Sequence, residues 1–249
     1  MKTTRKIVAI GGGELRTLET TEIDKRIIAL TGKRRPTALF IPTASGDAAG
    51  YVETFEACYG KEFGCQTRTL NLIQSPPAFE QMAALVLDSD LIYVGGGNTY
   101  RMMKIWRRLG LDSVLAEAAS RGIVLSGLSA GAICWFKYGH SDSRSFSNNV
   151  EWSYIRVSGL GLINAVYCPH YHSENREDAF SQMIAKRGGI GIACDNNAAI
   201  EIVGDYYRVL TSTPDAKAYK LFKRKGCVVV VELLQDSEYT PLTNLLRRK

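Results

Sequence analysis

Ser129 lies in a short motif whose residue types and spacing suit nucleophilic catalysis. Residues 127–131 read Gly-Leu-Ser-Ala-Gly, after an apolar run and before residues typical of a helix. A strand, a sharp turn and a helix around such a motif form a nucleophile elbow, which presents the serine hydroxyl at the tip of a tight bend. The backbone N–H of Ala130 would then point at the oxygen of an attacked carbonyl group. Ser129 is therefore the candidate nucleophile of an acyl-transfer reaction.

A serine hydroxyl is a weak nucleophile and needs a base, which is usually a histidine. The chain has three histidines, at positions 140, 170 and 172. His170 follows the apolar run 165–169 and lies at the end of a predicted strand, where open parallel sheets build their active sites. His140 lies in a polar segment, and His172 lies where the chain leaves the strand. We expect His170 to be the base, with His172 as the alternative.

The elements that must position these residues alternate along the first half of the chain. Apolar runs predict strands at Lys6–Ile10, Thr37–Ile41, 66–70, Leu91–Val94 and 123–126, and helical patterns predict helices at 22–30, 51–62, 77–87, Thr99–Leu109 and Leu111–Arg121. This order predicts an α/β fold, a doubly wound and mostly parallel sheet with helices on both faces. Function is then expected at the carboxyl ends of the strands.

The second half of the chain has a different order of predicted elements, with a polar segment followed mostly by strands. Residues 138–151 are polar and predict a long loop, which could act as a lid over the site. Further strands are predicted at 154–157, 165–168, 190–193 and Ala198–Val203, with a helix at 175–187, and the segments 206–210, 218–222 and Cys227–Leu233 predict antiparallel strands at an edge of the same sheet. We expect one domain over residues 1–249.

Composition narrows the class of protein. Of the 249 residues, 45% are hydrophobic and 22% are charged, which is typical of a globular domain. No apolar run reaches the length of a membrane span, so a cytoplasmic location without membrane contact is the default expectation. The net charge of +6 is scattered and accompanies no recognition motif, so we expect no nucleic-acid partner. The six cysteines lack metal-site spacing and predict reduced, mostly buried thiols, so we expect no metal and no cofactor.

Four motifs, in this order, resemble the peptidase E (aspartyl dipeptidase) family, serine peptidase family S51, whose relatives include the cyanophycinases. They are Val-Gly-Gly-Gly-Asn-Thr at 94–99, Gly-Leu-Ser-Ala-Gly-Ala at 127–132, Cys-Pro-His-Tyr at 168–171 and Gly-Ile-Ala-Cys-Asp-Asn-Asn at 191–197. The resemblance covers the chain from the first strand to its end. It implies a fold like that of class I glutamine amidotransferases, with serine in place of their cysteine. It also implies a serine peptidase that hydrolyses short peptides, in particular dipeptides with an N-terminal aspartate.

The resemblance also implies roles for single residues. Ser129 matches the nucleophile, His170 the base and Asp195 the acidic member of a triad. The backbone N–H groups of Gly97 and Ala130 match the oxyanion hole.

Two departures from the family pattern concern substrate and acid. The family has glutamate and glycine where this chain has Asp195 and Asn196, so the carboxylate reaches one methylene less far. Asp142 is the alternative acid, because it would give the Ser, Asp, His order of α/β-hydrolases. The second departure is a shorter segment between His170 and the following helix. There Arg176 matches the arginine that recognises the substrate's aspartate, and Asn98 is a second candidate for substrate binding. A guanidinium can hold a carboxylate in a bidentate pair, but a solvated helix arginine paired with the neighbouring Glu177 or Asp178 is the alternative interpretation of Arg176.

Other functions stay open at this point. The glycines at 11–13 end the first strand much as in a dinucleotide-binding fold, but Arg16 stands where the third glycine is required. A β-aspartyl peptidase resembling cyanophycinase, or a catalytically silent relative that binds small molecules or nucleotides, are the further alternatives. The expected partner is a small peptide substrate, and assembly as a homodimer stays open.

Overall fold

The computed structural model describes residues 4–146 and 151–248. These residues form two β-sheets and helices that pack against them. The strands are β1 Lys6–Ile10, β2 Thr37–Ile41, β3 Gln66–Thr69, β4 Leu91–Val94, β5 Val124–Leu128, β6 Phe136–Ser141, β7 Ile155–Ser158, β8 Ile163–Cys168, β9 Ile190–Cys194, β10 Ala198–Val203, β11 Tyr206–Thr211, β12 Ala218–Arg224, β13 Cys227–Leu233 and β14 Thr240–Pro241.

The α-helices lie close to their predicted positions in the first half of the chain. They are α1 Thr21–Leu30, α2 Ala49–Phe55, α3 Phe79–Leu87, α4 Thr99–Leu109, α5 Leu111–Arg121, α6 Ala130–Ile133, α7 Glu177–Arg187 and α8 Leu242–Leu246. A wider π-helical segment, Glu56–Glu62, continues α2. The predicted break between α4 and α5 is confirmed, because Gly110 adopts a left-handed conformation with φ of 75° that ends the first helix.

The first sheet confirms the predicted doubly wound, mostly parallel arrangement. Its strand order is β14-β11-β10-β1-β5-β4-β2-β3. The five strands β1 to β5 run parallel to one another, and β10, β11 and β14 add antiparallel strands at one edge. Ile10 pairs with Leu128, and Val94 pairs with Gly127. The carboxyl ends of β1, β4 and β5 therefore meet side by side.

The last strands differ from the prediction, because they belong to a second sheet. Its order is β13-β12-β9-β8-β6-β7. Strand β9 pairs in parallel with β8 and antiparallel with β12, and β13 follows β12 at the edge. Alternating apolar residues indicate a strand, but they do not specify which of several strands becomes its neighbour. Of the three strands predicted at the edge, only β11 joins the first sheet, between β10 and the short strand β14, which the sequence did not predict.

Strand β1 is buried on both faces. Ile7 and Ala9 belong to the large apolar cluster that also contains residues of the second sheet, such as Ile192, whereas Val8 and Ile10 face the cluster under α1 and α2. A parallel strand that is covered on both faces reads as a continuous apolar run, as this one does. Burial of each isoleucine or valine side chain of β1 stabilises the fold by about 1.5–3 kcal/mol relative to an exposed one. The end of β1 is thus a rigid platform.

The predicted loop at 138–151 is wrong for its first residues. Strand β6 extends to Ser141 and lies between β7 and β8, with Gly139, His140 and Ser141 buried. Polar residues can lie in a buried strand where the interior offers them hydrogen-bond partners. Polarity alone therefore does not distinguish a loop from a strand at these positions. The part of the predicted lid at residues 147–150 lies outside the described residues.

Two further properties concern the described residues as a whole. No α-helix among them has both the length and the apolar character needed to span a bilayer. The cysteines are free thiols, buried at positions 58, 65, 134, 168 and 194 and exposed at position 227.

Candidate active site

The elbow around Ser129 forms as predicted. Ser129 follows β5 and precedes α6, and its φ of 55° and ψ of −110° lie in a region that L residues rarely adopt. The flanking glycines allow this bend: a Cβ at Gly127 would lie 2.3 Å from the carbonyl oxygen of Gly131, and one at Gly131 would lie 2.0 Å from that of Val94. The turn therefore holds the Ser129 hydroxyl at the carboxyl end of the first sheet.

The glycine loop after β4 lies beside the elbow. A Cβ placed on Gly96 would come 3.5 Å from the Cβ of Ser129. Gly97 has a φ of 132°, and a Cβ there would lie 2.3 Å from the carbonyl oxygen of Ala44. This loop and Ala130, the first residue of α6, therefore lie next to Ser129. That the N–H groups of Gly97 and Ala130 form an oxyanion hole stays a prediction.

Asn98 has a structural part in this loop. Its Oδ1 accepts the Arg101 N–H at 2.9 Å and so caps α4. Its Nδ2 donates to the carbonyl oxygen of Ser143 at 3.2 Å. The side chain that we expected at the substrate thus ties the glycine loop to the turn after β6.

His170 is held next to Ser129 by the end of β1. The N–H of Ser129 donates to the carbonyl oxygen of Ile10 at 3.1 Å, and the N–H of His170 donates to that of Gly11 at 3.3 Å. Two consecutive carbonyl groups therefore fix the backbone of Ser129, the candidate nucleophile after β5 of the first sheet, and that of His170, which follows β8 of the second. This is the geometric basis for choosing His170 among the three histidines.

The partner of His170 is Asn196. The Nδ1 of His170 lies 2.6 Å from the Oδ1 of Asn196. With an amide oxygen as acceptor, Nδ1 carries the proton and Nε2 is left with its lone pair, as a general base requires. Burial lowers the pKa of His170, while the hydrogen bond that its Nδ1–H donates to Asn196 acts in the opposite direction. The imidazole is therefore neutral at neutral pH.

Gly12 leaves the room that this pair needs. A Cβ on Gly12 would lie 2.0 Å from the Oδ1 of Asn196 and 2.4 Å from the Nδ1 of His170. Its carbonyl oxygen accepts the Asn197 N–H at 2.8 Å, which fastens the turn that carries Asn196. The glycine run after β1, a feature shared with nucleotide-binding folds, serves here as the floor of the site.

Asp195 contacts His172, whereas we expected it to contact His170. Its Oδ1 is 2.8 Å from the Nδ1 of His172, and its Oδ2 accepts the backbone N–H of Lys217 at 3.2 Å. Successive residues at the end of a strand point in opposite directions. The shift by one residue from Asp195 to Asn196 therefore exchanges the partner of His170, which the residue types alone did not reveal.

Arg176 is enclosed by internal partners. Its side chain is 1% exposed, and its Nε donates to Glu174 at 2.9 Å. Its Nη2 lies 3.4 Å from Asp142, the alternative acid, and its Nη1 donates to the carbonyl oxygen of His140 at 3.3 Å. The structure thus differs from the alternative interpretation: Arg176 is paired with carboxylates, but it is buried, and its partners are Glu174 and Asp142 in place of Glu177 or Asp178.

His140 is part of the buried surroundings of Arg176. It stacks on Tyr154 with ring centres 4.2 Å apart, and its Nδ1 lies 3.5 Å from the Sγ of Cys168. Burial, with the positive charge of Arg176, lowers the pKa of His140 to about 3. This histidine is a neutral core residue.

Comparisons with known proteins identify the family and the fold of this chain. The model of peptidase family S51 matches residues 7–210. The uncharacterized peptidase YgaJ of Bacillus subtilis is 34% identical over 233 residues, which are 92% of this chain and 97% of that protein. A peptidase structure from an acI-B1 actinobacterium superposes with a TM-score of 0.67 at 21% identity, over 96% of this chain and 98% of that one. A putative peptidase E structure from Listeria monocytogenes gives 0.64 at 18% identity, over 84% and 99% of the two chains.

Proposed function

The chain belongs to peptidase family S51 and is a serine-type peptidase, and on that premise we propose that Ser129 is its nucleophile, His170 its base and Asn196 the residue that orients the base. The observation that carries this assignment is the 2.6 Å contact between the Nδ1 of His170 and the Oδ1 of Asn196. The backbone of the same histidine is fixed beside that of Ser129. Papain-like cysteine proteases, which have an unrelated fold, also pair a nucleophile and a histidine with asparagine.

The proposed reaction needs no group beyond the chain and water. The Ser129 hydroxyl attacks the peptide carbonyl while the Nε2 of His170 takes its proton, and the N–H groups of Gly97 and Ala130 hold the oxyanion. The C–N bond breaks as His170 returns the proton to the leaving amine. Water, deprotonated by the same histidine, then hydrolyses the acyl-enzyme.

Asn196 gives this base a distinct character. A neutral amide fixes the tautomer of His170, but unlike a carboxylate it supplies no full charge to stabilise the imidazolium form. Asp195 then has a separate task, which is to hold His172 and the turn at Lys217.

We propose short peptides with an N-terminal aspartate as substrates, with Arg176 as the residue that recognises the side-chain carboxylate. Family resemblance supports this, as does a guanidinium next to the segment that bears His170. The edge of Arg176 that would hold the substrate is now taken by Glu174, whose side chain is 44% exposed. Recognition therefore requires Glu174 to leave Arg176 and the substrate carboxylate to take its place.

Labelling of the intact protein with a fluorophosphonate tests the mechanism. We expect wild type to be labelled and Ser129→Ala to be unlabelled, with its turnover reduced by several orders of magnitude and its fold unchanged. A protein that is not labelled and hydrolyses no peptide would be the catalytically silent binding relative instead.

A peptide panel tests the substrate separately. We expect kcat/KM for Asp-Leu to exceed that for Asn-Leu and Ala-Leu. Equal rates on all three would end the aspartate assignment and leave the serine mechanism standing. Faster cleavage of the β-aspartyl isomer would favour the cyanophycinase-like alternative.

A further inference from the structure

A groove of about 810 Å³ lies outside the proposed active site, between α4, β7 and α7. Five cationic side chains from separate parts of the chain line it: Arg107, Arg144, Arg156, Lys186 and Arg187. Within the described residues, its lining contains no aspartate or glutamate. The groove thus gathers a large share of the net positive charge of the protein at one concave surface.

Four of these cations, Arg107, Arg156, Lys186 and Arg187, form no ion pair with a carboxylate among residues 4–146 and 151–248. Arg107 donates to the carbonyl oxygen of Ser158 at 2.7 Å, and the guanidinium of Arg156 lies 3.9 Å from the centre of the Tyr138 ring. These neutral partners hold Arg107 and Arg156 in place and leave their charge uncompensated.

Local structure accounts for only part of this cluster. Lys186 and Arg187 end α7, where the helix dipole favours positive charge. No such reason applies to Arg156, on an edge strand, where burial and the nearby charge of Arg187 lower its pKa. Like charges that approach one another weaken the folded state. Their convergence from a helix end, a strand and α4 is explained if an anion binds between them.

We propose that this basic groove binds a small ligand with two or more phosphate groups. Four of the five cations are arginines, whose planar fork matches phosphate oxygens. Tyr100, which is 59% exposed, lines the same groove and offers an aromatic face. A cleft lined by charge of one sign concentrates ions of the opposite sign.

The turn after β6 connects the groove to the glycine loop of the proposed active site. The N–H of Tyr100 donates to the Oγ of Ser143 at 3.0 Å, and the carbonyl oxygen of Ser143 accepts from Asn98. The groove also adjoins Arg176, whose guanidinium lies 5.0 Å from the centre of the Tyr154 ring in the groove lining. The variants below leave Ser129, His170 and Arg176 unchanged, so phosphate binding and peptidase activity can each fail without the other.

Isothermal titration of the whole protein with pyrophosphate and with ATP, at low ionic strength, tests the proposal. We expect both to bind wild type, and the double variant Lys186→Gln with Arg187→Gln to weaken both by at least roughly tenfold. The single variant Arg107→Gln should weaken them in the same direction. The matched control removes the same charge elsewhere: Arg34→Gln with Arg35→Gln, in an exposed turn, should leave the affinity unchanged.

Three results would overturn the proposal. They are no binding of either phosphate, equal weakening in the control variant, or binding of tetra-aspartate with none of pyrophosphate, since the last result would assign the groove to carboxylates. Thermal unfolding of each variant shows that a lost affinity is not a lost fold.

Discussion

Replacing Asn196 with aspartate changes one heavy atom of the proposed site. The substitution should raise the pKa of His170 and so move the acid limb of the pH profile of kcat/KM to higher pH. The substitution places a negative charge at 2.6 Å from the Nδ1 of His170. For charge centres about 4 Å apart, an effective dielectric constant of 20 gives roughly 4 kcal/mol in favour of the imidazolium form. At 1.36 kcal/mol per pH unit this is an upper bound of about three units, and partial access of water reduces the expected rise in the pKa of His170 to roughly one or two units.

The assay is the pH profile of kcat/KM on a peptide that wild type cleaves. In wild type, burial lowers the pKa of His170 below 6.5, so activity should persist below that pH. In Asn196→Asp the base is protonated at higher pH, and the acid limb should move up by the stated amount. Asp195→Asn is the matched control, because it removes a carboxylate that faces His172, and its acid limb should stay in place. A shift in Asp195→Asn with none in Asn196→Asp would refute the assignment and restore Asp195 as the partner of His170.

Two further predictions concern the floor of the site and the acid stability of the core. Gly12→Ala should reduce kcat/KM at least about 100-fold, because its Cβ would displace the His170 ring; activity near that of wild type in a folded variant would contradict the close packing. His140 has a pKa of about 3 in the folded protein and about 6.5 in the unfolded chain. Between these pH values the unfolded chain binds a proton that the folded protein does not, so the free energy of unfolding decreases as the pH is lowered. From pH 6.5 to pH 4 this loss is about 3 kcal/mol. His140→Phe should lack it, as urea unfolding at the two pH values would measure; the same loss in both proteins would show that another group is responsible.

Much of the first sheet could be predicted from the sequence because its signals are local. Strands β2 and β4 and helices α4 and α5 begin and end at the predicted residues, where apolar runs meet proline or glycine. The second sheet could not be predicted in the same way. Strand β6 is hidden by its polar residues, and the partners of β12 depend on contacts between distant parts of the chain.

The residues of the candidate site also differ in how local their signals are. The elbow is a local motif, so a few neighbouring residues are enough to predict Ser129 as the candidate nucleophile. The partner of His170 depends on which of two adjacent side chains turns inward, and the resemblance offered only the acidic one. The contacts of Arg176 are likewise tertiary, since His140 and Asp142 reach it from β6 and the turn that follows.

The consecutive carbonyl groups of Ile10 and Gly11 have a consequence for how this protein can change over time. Ser129 comes from one sheet and His170 from the other, yet the spacing of their backbones is set at a single strand end. Edge strands such as β3, β7 and β13 can lengthen, shorten or change their charge without altering that spacing. The architecture thereby separates what must stay constant, the pair that we propose performs the chemistry, from the outer surfaces, which are free to diversify toward new ligands.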